Sequence, residues 1–191
     1  RSRRKPLWQC LNWMTSKEAE VYIHIPFCVR KCAYCDFVSW PNRLGAVDAY
    51  LDALDGELAF WAEKLKSYRI VSVFLGGGTP SLLTGNQIAR LLGRIFETVD
   101  MAADVEITME ANPGTVQEAS LREYHCAGVN RLSLGIQAAQ DRLLRKLGRI
   151  HTLAEGERAV MMARESGFDN LSLDLMYGLP EQDLSDWRET L

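Results

Sequence analysis

Three cysteines, Cys28, Cys32 and Cys35, crowd into the stretch FCVRKCAYCDF at 27–37. A thiolate is a soft, charged ligand, and three on one short loop can wrap a single metal centre without help from the rest of the fold. At spacing i, i+4, i+7 the same residues would also lie along one helix face as small buried hydrophobes. Pro26 just upstream, with the charged Arg30 and Lys31 in between, argues against that alternative. Structural zinc wants four closed ligands, usually as two CxxC pairs; no second pair exists here, so zinc would have to recruit His24 or Asp36. A [4Fe–4S] cluster on three cysteines keeps one iron open to exchange, which makes a reactive site rather than an electron-transfer centre.

The segments that must position this loop alternate in period. Short β-branched runs read as strands: VYIHI at 21–25, IVSVFL at 70–75, VEITME at 105–110, RLSLGI at 131–136 and NLSLDLM at 170–176. Between the first two, Leu44, Val47, Leu51, Leu54, Leu58, Trp61 and Leu65 recur every three or four residues, a stripe that predicts a helix lying against a sheet. A second helix carries Ile88, Leu91, Leu92, Ile95 and Val99, and weaker patterns cover 117–127 and 154–166, the latter closed by Gly167 as a C-cap. Strand-then-helix units in series imply a parallel sheet with right-handed crossovers, doubly wound or curled into a barrel. Ligands then bind beyond the carboxyl ends of the strands. His24, Gly76 to Thr79, Glu110, Gln137 and Asp174 all fall at such ends and are expected to share one mouth.

The 191 residues are 47% hydrophobic, 9% aromatic and 25% charged, enough for a buried core in one domain or part of one. A formal net charge of −3 gives no general attraction to nucleic acid or anionic membrane, and Arg1, Arg3, Arg4 and Lys5 form a basic cluster at a solvated end. No apolar run approaches the roughly 18–20 residues needed to cross a bilayer. The cysteines number 5, and the three in the loop lie too close together to staple distant segments, so a reducing, cytoplasmic setting is expected. Cys10 and Cys126 stand alone and take no role; Cys126 is expected half-buried and His125 exposed. Arg1 is not an initiator whereas Met14 could be one, and DLSDWRETL stops in a helical pattern without a cap. Residues 1–20 accordingly read as a leader, without fixed structure or non-native, and 21–191 as a core domain that is truncated at its C-terminal end.

The CxxxCxxC loop directly after YIHIPF is similar to that of the radical S-adenosylmethionine (SAM) superfamily, and more narrowly to the oxygen-independent coproporphyrinogen III oxidase and HemW group. GGGTPSLL at 76–83, EITMEANPG at 106–114, AGVNRLSLGIQ at 127–137, LGRIH at 147–151 and DLMYGLP at 174–180 resemble that group in the same order. The resemblance implies an α/β fold, a partial (βα)6 TIM-like barrel truncated here after the fifth strand, holding a [4Fe–4S] cluster on Cys28, Cys32 and Cys35. It also implies that SAM closes the open iron and that the cofactor carries the hard chemistry.

On matching positions the resemblance implies cofactor contacts from Gly77, Gly78 and Thr79, where missing side chains let the backbone approach SAM, and from Glu110, whose carboxylate suits an ammonium or ribose hydroxyls. Tyr22, Tyr34, Gln137, Arg149 and Asp174 match further SAM-contacting positions, partly at a second SAM site. Tyr22 and Gln137 equally fit satisfied core polar groups, and Arg149 a surface ion pair. Phe27, Tyr34 and Phe37 are placed to shield a cluster, while His24 and His151 fit structural hydrogen bonding as well as function. No residue is assigned as catalytic.

The oxidases of this group resemble C-x-C at the end of the loop, whereas Cys35-Asp36-Phe37 resembles the C-x-F of the HemW branch. The short lead into the first strand, MEANPGTV and LGRIH point the same way. The implied function is a heme chaperone that binds heme as cargo and passes it to a recipient hemoprotein, membrane-associated or not. An electron donor for the cluster is implied as a partner, and a homodimer is compatible. The alternative is an oxidase that decarboxylates two propionates of coproporphyrinogen III on the way to protoporphyrinogen IX. A third reading is a zinc-stabilised binding module without redox chemistry.

Overall fold

The computed structural model describes residues 17–191, so Cys10, Met14 and the basic cluster lie outside the described residues. The chain runs β1 (Glu18–Ile25), β2 (Phe27–Cys28), β3 (Trp40–Pro41), α1 (Val47–Leu65), β4 (Arg69–Gly77), α2 (Gly85–Thr98) and β5 (Asp100–Ala111). It continues through α3 (Glu118–Cys126), β6 (Arg131–Gln137), α4 (Asp141–Leu147), α5 (Leu153–Glu165), β7 (Asn170–Leu175) and α6 (Leu184–Thr190). The five long strands form one sheet in the order β1-β4-β5-β6-β7, every pair parallel. Each strand therefore neighbours the next long strand in the chain, and the units wind in one sense as an arc of a barrel. Residues 18–20, read from the sequence as the end of a leader, already belong to β1, where the Arg69 N–H donates to the Lys17 carbonyl at 2.8 Å.

Pairing register divides each strand between two faces. Val21, Val73 and Ile107 align across one face with Ile23, Leu75, Met109 and Leu132 beside them. These pack against Ile88, Leu91, Leu92 and Ile95 of α2, Leu121 and Tyr124 of α3, and Ala159 and Ala163 of α5. The Tyr124 hydroxyl, itself buried, donates to the Leu83 carbonyl at 2.6 Å. Capping boxes at Thr84 and Thr152 start α2 and α5 by satisfying N–H groups that a helix cannot satisfy itself.

Three features depart from the sequence reading. The α1 stripe is only partly covered: Val47 and Leu51 are buried, Leu54, Leu58 and Leu65 are half-buried, and Trp61 is exposed, because α1 lies over β1, the edge strand. Helix α4 has no counterpart among the expected helices. DRLLRKL is too short to display a period, and its Leu143, Leu144 and Leu147 join Ala138 and Leu179 in a separate small apolar cluster. Cys126 is exposed rather than half-buried; His125 is exposed as expected, edge-on to Phe168 at 5.2 Å between ring centroids. Among the described residues no helix is long and apolar enough to cross a membrane.

Candidate metal and cofactor site

The cysteine loop is clamped at both ends and in its middle. Strands β2 and β3 pair in parallel, and the Trp40 N–H donates to the Pro26 carbonyl at 2.8 Å. The imidazole of His24 carries a second clamp: the Tyr22 hydroxyl meets Nδ1 at 3.1 Å, and Nε2 donates to the Val38 carbonyl at 2.7 Å. Lys31 Nζ donates to the Phe37 carbonyl at 2.9 Å. Within the loop the Cys35 N–H closes a turn onto the Cys32 carbonyl at 3.2 Å, and the Ala33 N–H donates to the Leu147 carbonyl at the end of α4 at 3.0 Å. Three charged or polar side chains and three backbone bonds thus oppose the entropy of ordering a loop that has little secondary structure of its own.

All three cysteines line one cavity of about 180 Å³ at the carboxyl ends of the strands. Gly77, Gly78, Thr79, Glu110, Gln137 and Asp174 line it from the strands, with Tyr34 and Arg149 beside them. Tyr22 and His24 do not line it. Both lie on the inner face of β1, where Tyr22 stacks on Phe74 at 6.1 Å and His24 holds the loop from beneath. Phe27 is not a shield either: it is buried in the main core and meets Tyr50 edge-on at 5.5 Å. Tyr34 and Phe37 do line the cavity, and both are exposed.

The glycines act by proximity. Gly78 donates to the Ile25 carbonyl at 2.8 Å and the Thr79 N–H to the Phe27 carbonyl at 2.7 Å, so β4 ends against the strand that delivers Cys28. A Cβ on Gly78 would meet the Phe27 carbonyl oxygen at 2.6 Å, which backbone cannot yield cheaply. The left-handed turn falls on Gly77, at φ 107°. The Thr79 hydroxyl then points at the Cys28 sulfur, 3.6 Å away.

The cavity's polar groups are unevenly satisfied. Glu110 accepts from the Gly77 N–H at 3.0 Å; burial pushes its carboxyl up, that N–H opposes, nearby Asp174 pushes it further up and His24 pulls it down. Asp174 accepts from the Ser133 hydroxyl, 3.0 Å from each carboxylate oxygen. Burial raises the Tyr34 phenol, with Arg149 opposing. Gln137 is buried at the end of β6 with φ 73°, a left-handed conformation that costs a non-glycine residue of order 1 kcal/mol, and its carbonyl accepts from the Met176 N–H at 2.8 Å. Arg149 is not a surface ion pair: its Nη2 donates to the Gly135 carbonyl at 2.6 Å, and its buried Nε has no partner among the described residues. His151 is buried outside the cavity, with Nε2 donating to the Ile136 carbonyl at 3.3 Å; burial first, then Arg149, pulls its pKa down to about 4. It is therefore neutral at physiological pH and structural.

Ser133 and Gly135 also line the cavity and were not assigned from the sequence. The signal was present: in RLSLGIQ they occupy the alternate positions that face inward once the Leu residues face the helices.

The donor set suits a cluster better than a single ion. A closed zinc site needs four ligands, whereas the three cysteines that line this cavity supply three. In a cubane each cysteine takes a different iron, so three cysteines around one cavity would hold three irons and leave the fourth open. The unpartnered Arg149 Nε and the half-buried Glu110 are, respectively, a donor and an acceptor left over for a zwitterionic ligand.

Comparison with known proteins agrees with this geometry. The family model described as the radical SAM superfamily matches residues 22–191. The chain is 43% identical over 171 residues to the heme chaperone HemW of Haemophilus influenzae, covering 87% of this chain and 45% of that protein. It is 45% identical over 172 residues to the heme chaperone HemW of Escherichia coli, covering 87% and 44%. The chain therefore spans less than half the length of these curated relatives. Among solved structures, the radical SAM enzyme coproporphyrinogen III oxidase (HemN) from Escherichia coli superposes with a TM-score of 0.85 at 32% identity, covering 95% of this chain and 42% of that one.

Proposed function

The chain belongs to the radical SAM superfamily, and on that premise we propose that it is the cluster-binding part of a heme chaperone of the HemW branch. The observation that carries this reading is the identity of 43% and 45% to proteins named heme chaperones, against 32% to the oxidase. Phe37, exposed at the cavity where the oxidase pattern has a further cysteine, supports the same side.

Cys28, Cys32 and Cys35 would hold a [4Fe–4S] cluster, with SAM at its open iron. When bound, that pair supplies one-electron chemistry at a sulfonium centre. The chain's own residues shape the surroundings. Thr79 offers a hydroxyl to the Cys28 sulfur, and Glu110 and Asp174 present carboxylates where an ammonium or ribose hydroxyls would bind. Gly77 and Gly78 let the end of β4 close against His24 and the Phe27 carbonyl, which puts their backbone in the cavity wall, and Tyr34, Gln137 and Arg149 line the remaining side. Tyr22, one strand away from the cavity, would act through His24 or meet a larger ligand on the inner face. Heme is the cargo, a recipient hemoprotein the destination, and an external donor the source of the electron.

The test uses the full-length protein reconstituted anaerobically. Heme titration is expected to give saturable binding with a shifted Soret band, and coproporphyrinogen III with SAM and reductant is expected to remain unconverted. Anaerobic turnover to protoporphyrinogen would assign the protein to the oxidases instead. Iron and sulfide analysis of the same sample excludes the zinc-stabilised alternative if both are present.

A further inference from the structure

Arg149 reaches the cysteine loop from the far wall of the cavity. Gly148 closes α4 in the left-handed conformation, φ 77°, and the Arg149 N–H donates to the Leu144 carbonyl at 2.9 Å, so the backbone bearing this side chain is tied to the helix end. The same helix end accepts the Ala33 N–H through Leu147 at 3.0 Å. From there the guanidinium spans two partners: Nη2 donates to the Gly135 carbonyl at 2.6 Å, and Nη1 lies 3.8 Å from the Cys32 sulfur and 3.5 Å from the Tyr34 hydroxyl. A strand carbonyl fixes one nitrogen of the fork and aims the other at a thiol.

We propose that Arg149 sets the reduction potential of the cluster by donating a charge-assisted hydrogen bond to the Cys32 thiolate, and that Gly135 keeps the guanidinium in range. The inference rests on the ligation of a cluster by Cys32 proposed above, and it holds for chaperone and oxidase alike. An added electron increases the negative charge on the cluster and its thiolates. A fixed cation beside one thiolate therefore stabilises the reduced state more than the oxidised one and raises the potential. Arginine is required because its planar fork holds the Gly135 carbonyl with one nitrogen and reaches the sulfur with another, which a compact ammonium does not do. Gly135 matters by absence: a Cβ there would stand 3.0 Å from Arg149 Nη2 and 2.7 Å from Gln137 Nε2, pushing the fork away without removing its charge.

The experiment is a redox titration of the anaerobically reconstituted full-length protein, read by electron paramagnetic resonance and run without SAM so that a contact of Arg149 to SAM does not enter. In Arg149→Met the ratio of reduced to oxidised cluster at a fixed poise is expected to fall roughly tenfold, equivalent to about 59 mV for a one-electron couple. Gly135→Ala is expected to shift in the same direction by less, and its shift is expected to vanish in the Arg149→Met background, since both act on one contact. Arg149→Lys is expected to fall between wild type and Arg149→Met. An unchanged midpoint in Arg149→Met with full iron and sulfide overturns the proposal, as does a Gly135→Ala shift of equal size in both backgrounds. Should Arg149→Met not retain its cluster, unchanged midpoints in Arg149→Lys and Gly135→Ala overturn it equally. A wild-type protein that takes up no iron and sulfide fails at the earlier step, the cluster itself.

Discussion

On the outer face of the sheet, Val73, Leu75, Ile107, Met109, Leu132 and Leu134 are 0–2% exposed beneath α2, α3 and α5. One residue along in the same strands, on the inner face, stand Phe74, Thr108, Glu110, Ser133 and Gly135. The outer side buries apolar area at roughly 1.5–3 kcal/mol per large side chain, and its sheet residues there are aliphatic throughout. The inner side ends in a half-buried carboxyl with a raised pKa, a left-handed glutamine and a guanidinium nitrogen without an acceptor. Stability and chemistry are thus separated by the pleat of a single sheet. A protein built this way can tolerate unsatisfied groups on one face because the other holds the fold.

That separation can be broken at three points. The largest effect is expected from Cys28→Ala, Cys32→Ala or Cys35→Ala, each of which should abolish the brown absorption of the reconstituted cluster, since two thiolates do not hold it. In the apo protein the same change at Cys32 or Cys35 should alter unfolding free energy by no more than about 1 kcal/mol; a full cluster in any of these variants would refute the ligand assignment. Leu134→Ala, on the outer face, should do the reverse. It removes a buried side chain beneath helices and should cost about 2–5 kcal/mol in denaturant unfolding, while the fraction that remains folded still takes up iron. A cost below about 1 kcal/mol would mean that the outer face is not where stability resides.

The smallest effect is expected at Glu110. Its folded-state pKa is raised, first by burial, so the folded protein holds this proton more tightly than the unfolded chain. Its contribution to stability is therefore fully present below the unfolded carboxyl pKa and is lost as pH rises through the folded one. Glu110→Gln should remove that loss, stabilising the apo protein above this window by an amount of order 1 kcal/mol while weakening SAM binding. Thermal unfolding of the two apo proteins across pH 4 to 8 tests it. Parallel curves would place the charge in solvent rather than in the site.

Much of the frame is legible in the sequence. Four of the long strands contain their expected runs and extend beyond them, and β7 stops one residue short of its run, at Leu175, because β-branched alternation is a local property. The capped helices α2 and α5 were legible for the same reason, whereas α4 was not, since its three leucines gain meaning only from Ala138 and Leu179. Glu110, Gln137, Asp174 and the glycines share the mouth with the cysteines because carboxyl ends of parallel strands converge whatever the side chains. Tyr22 and His24 fell beneath the loop instead, since period 2 in β1 turns them to the inner face before the strand reaches the mouth.

What the sequence determined by itself was the spacing of three thiols, the order of the strands and the absence of a fourth cysteine at Phe37, all of which are properties of neighbours along the chain. Only the tertiary structure decided that Arg149 meets Cys32 across 117 residues, and that the Gln137 amide and this guanidinium both pass close over Gly135. Such contacts depend on register between strands and on where a helix end docks. Local periodicity carries no information about either until the sheet has closed into its arc.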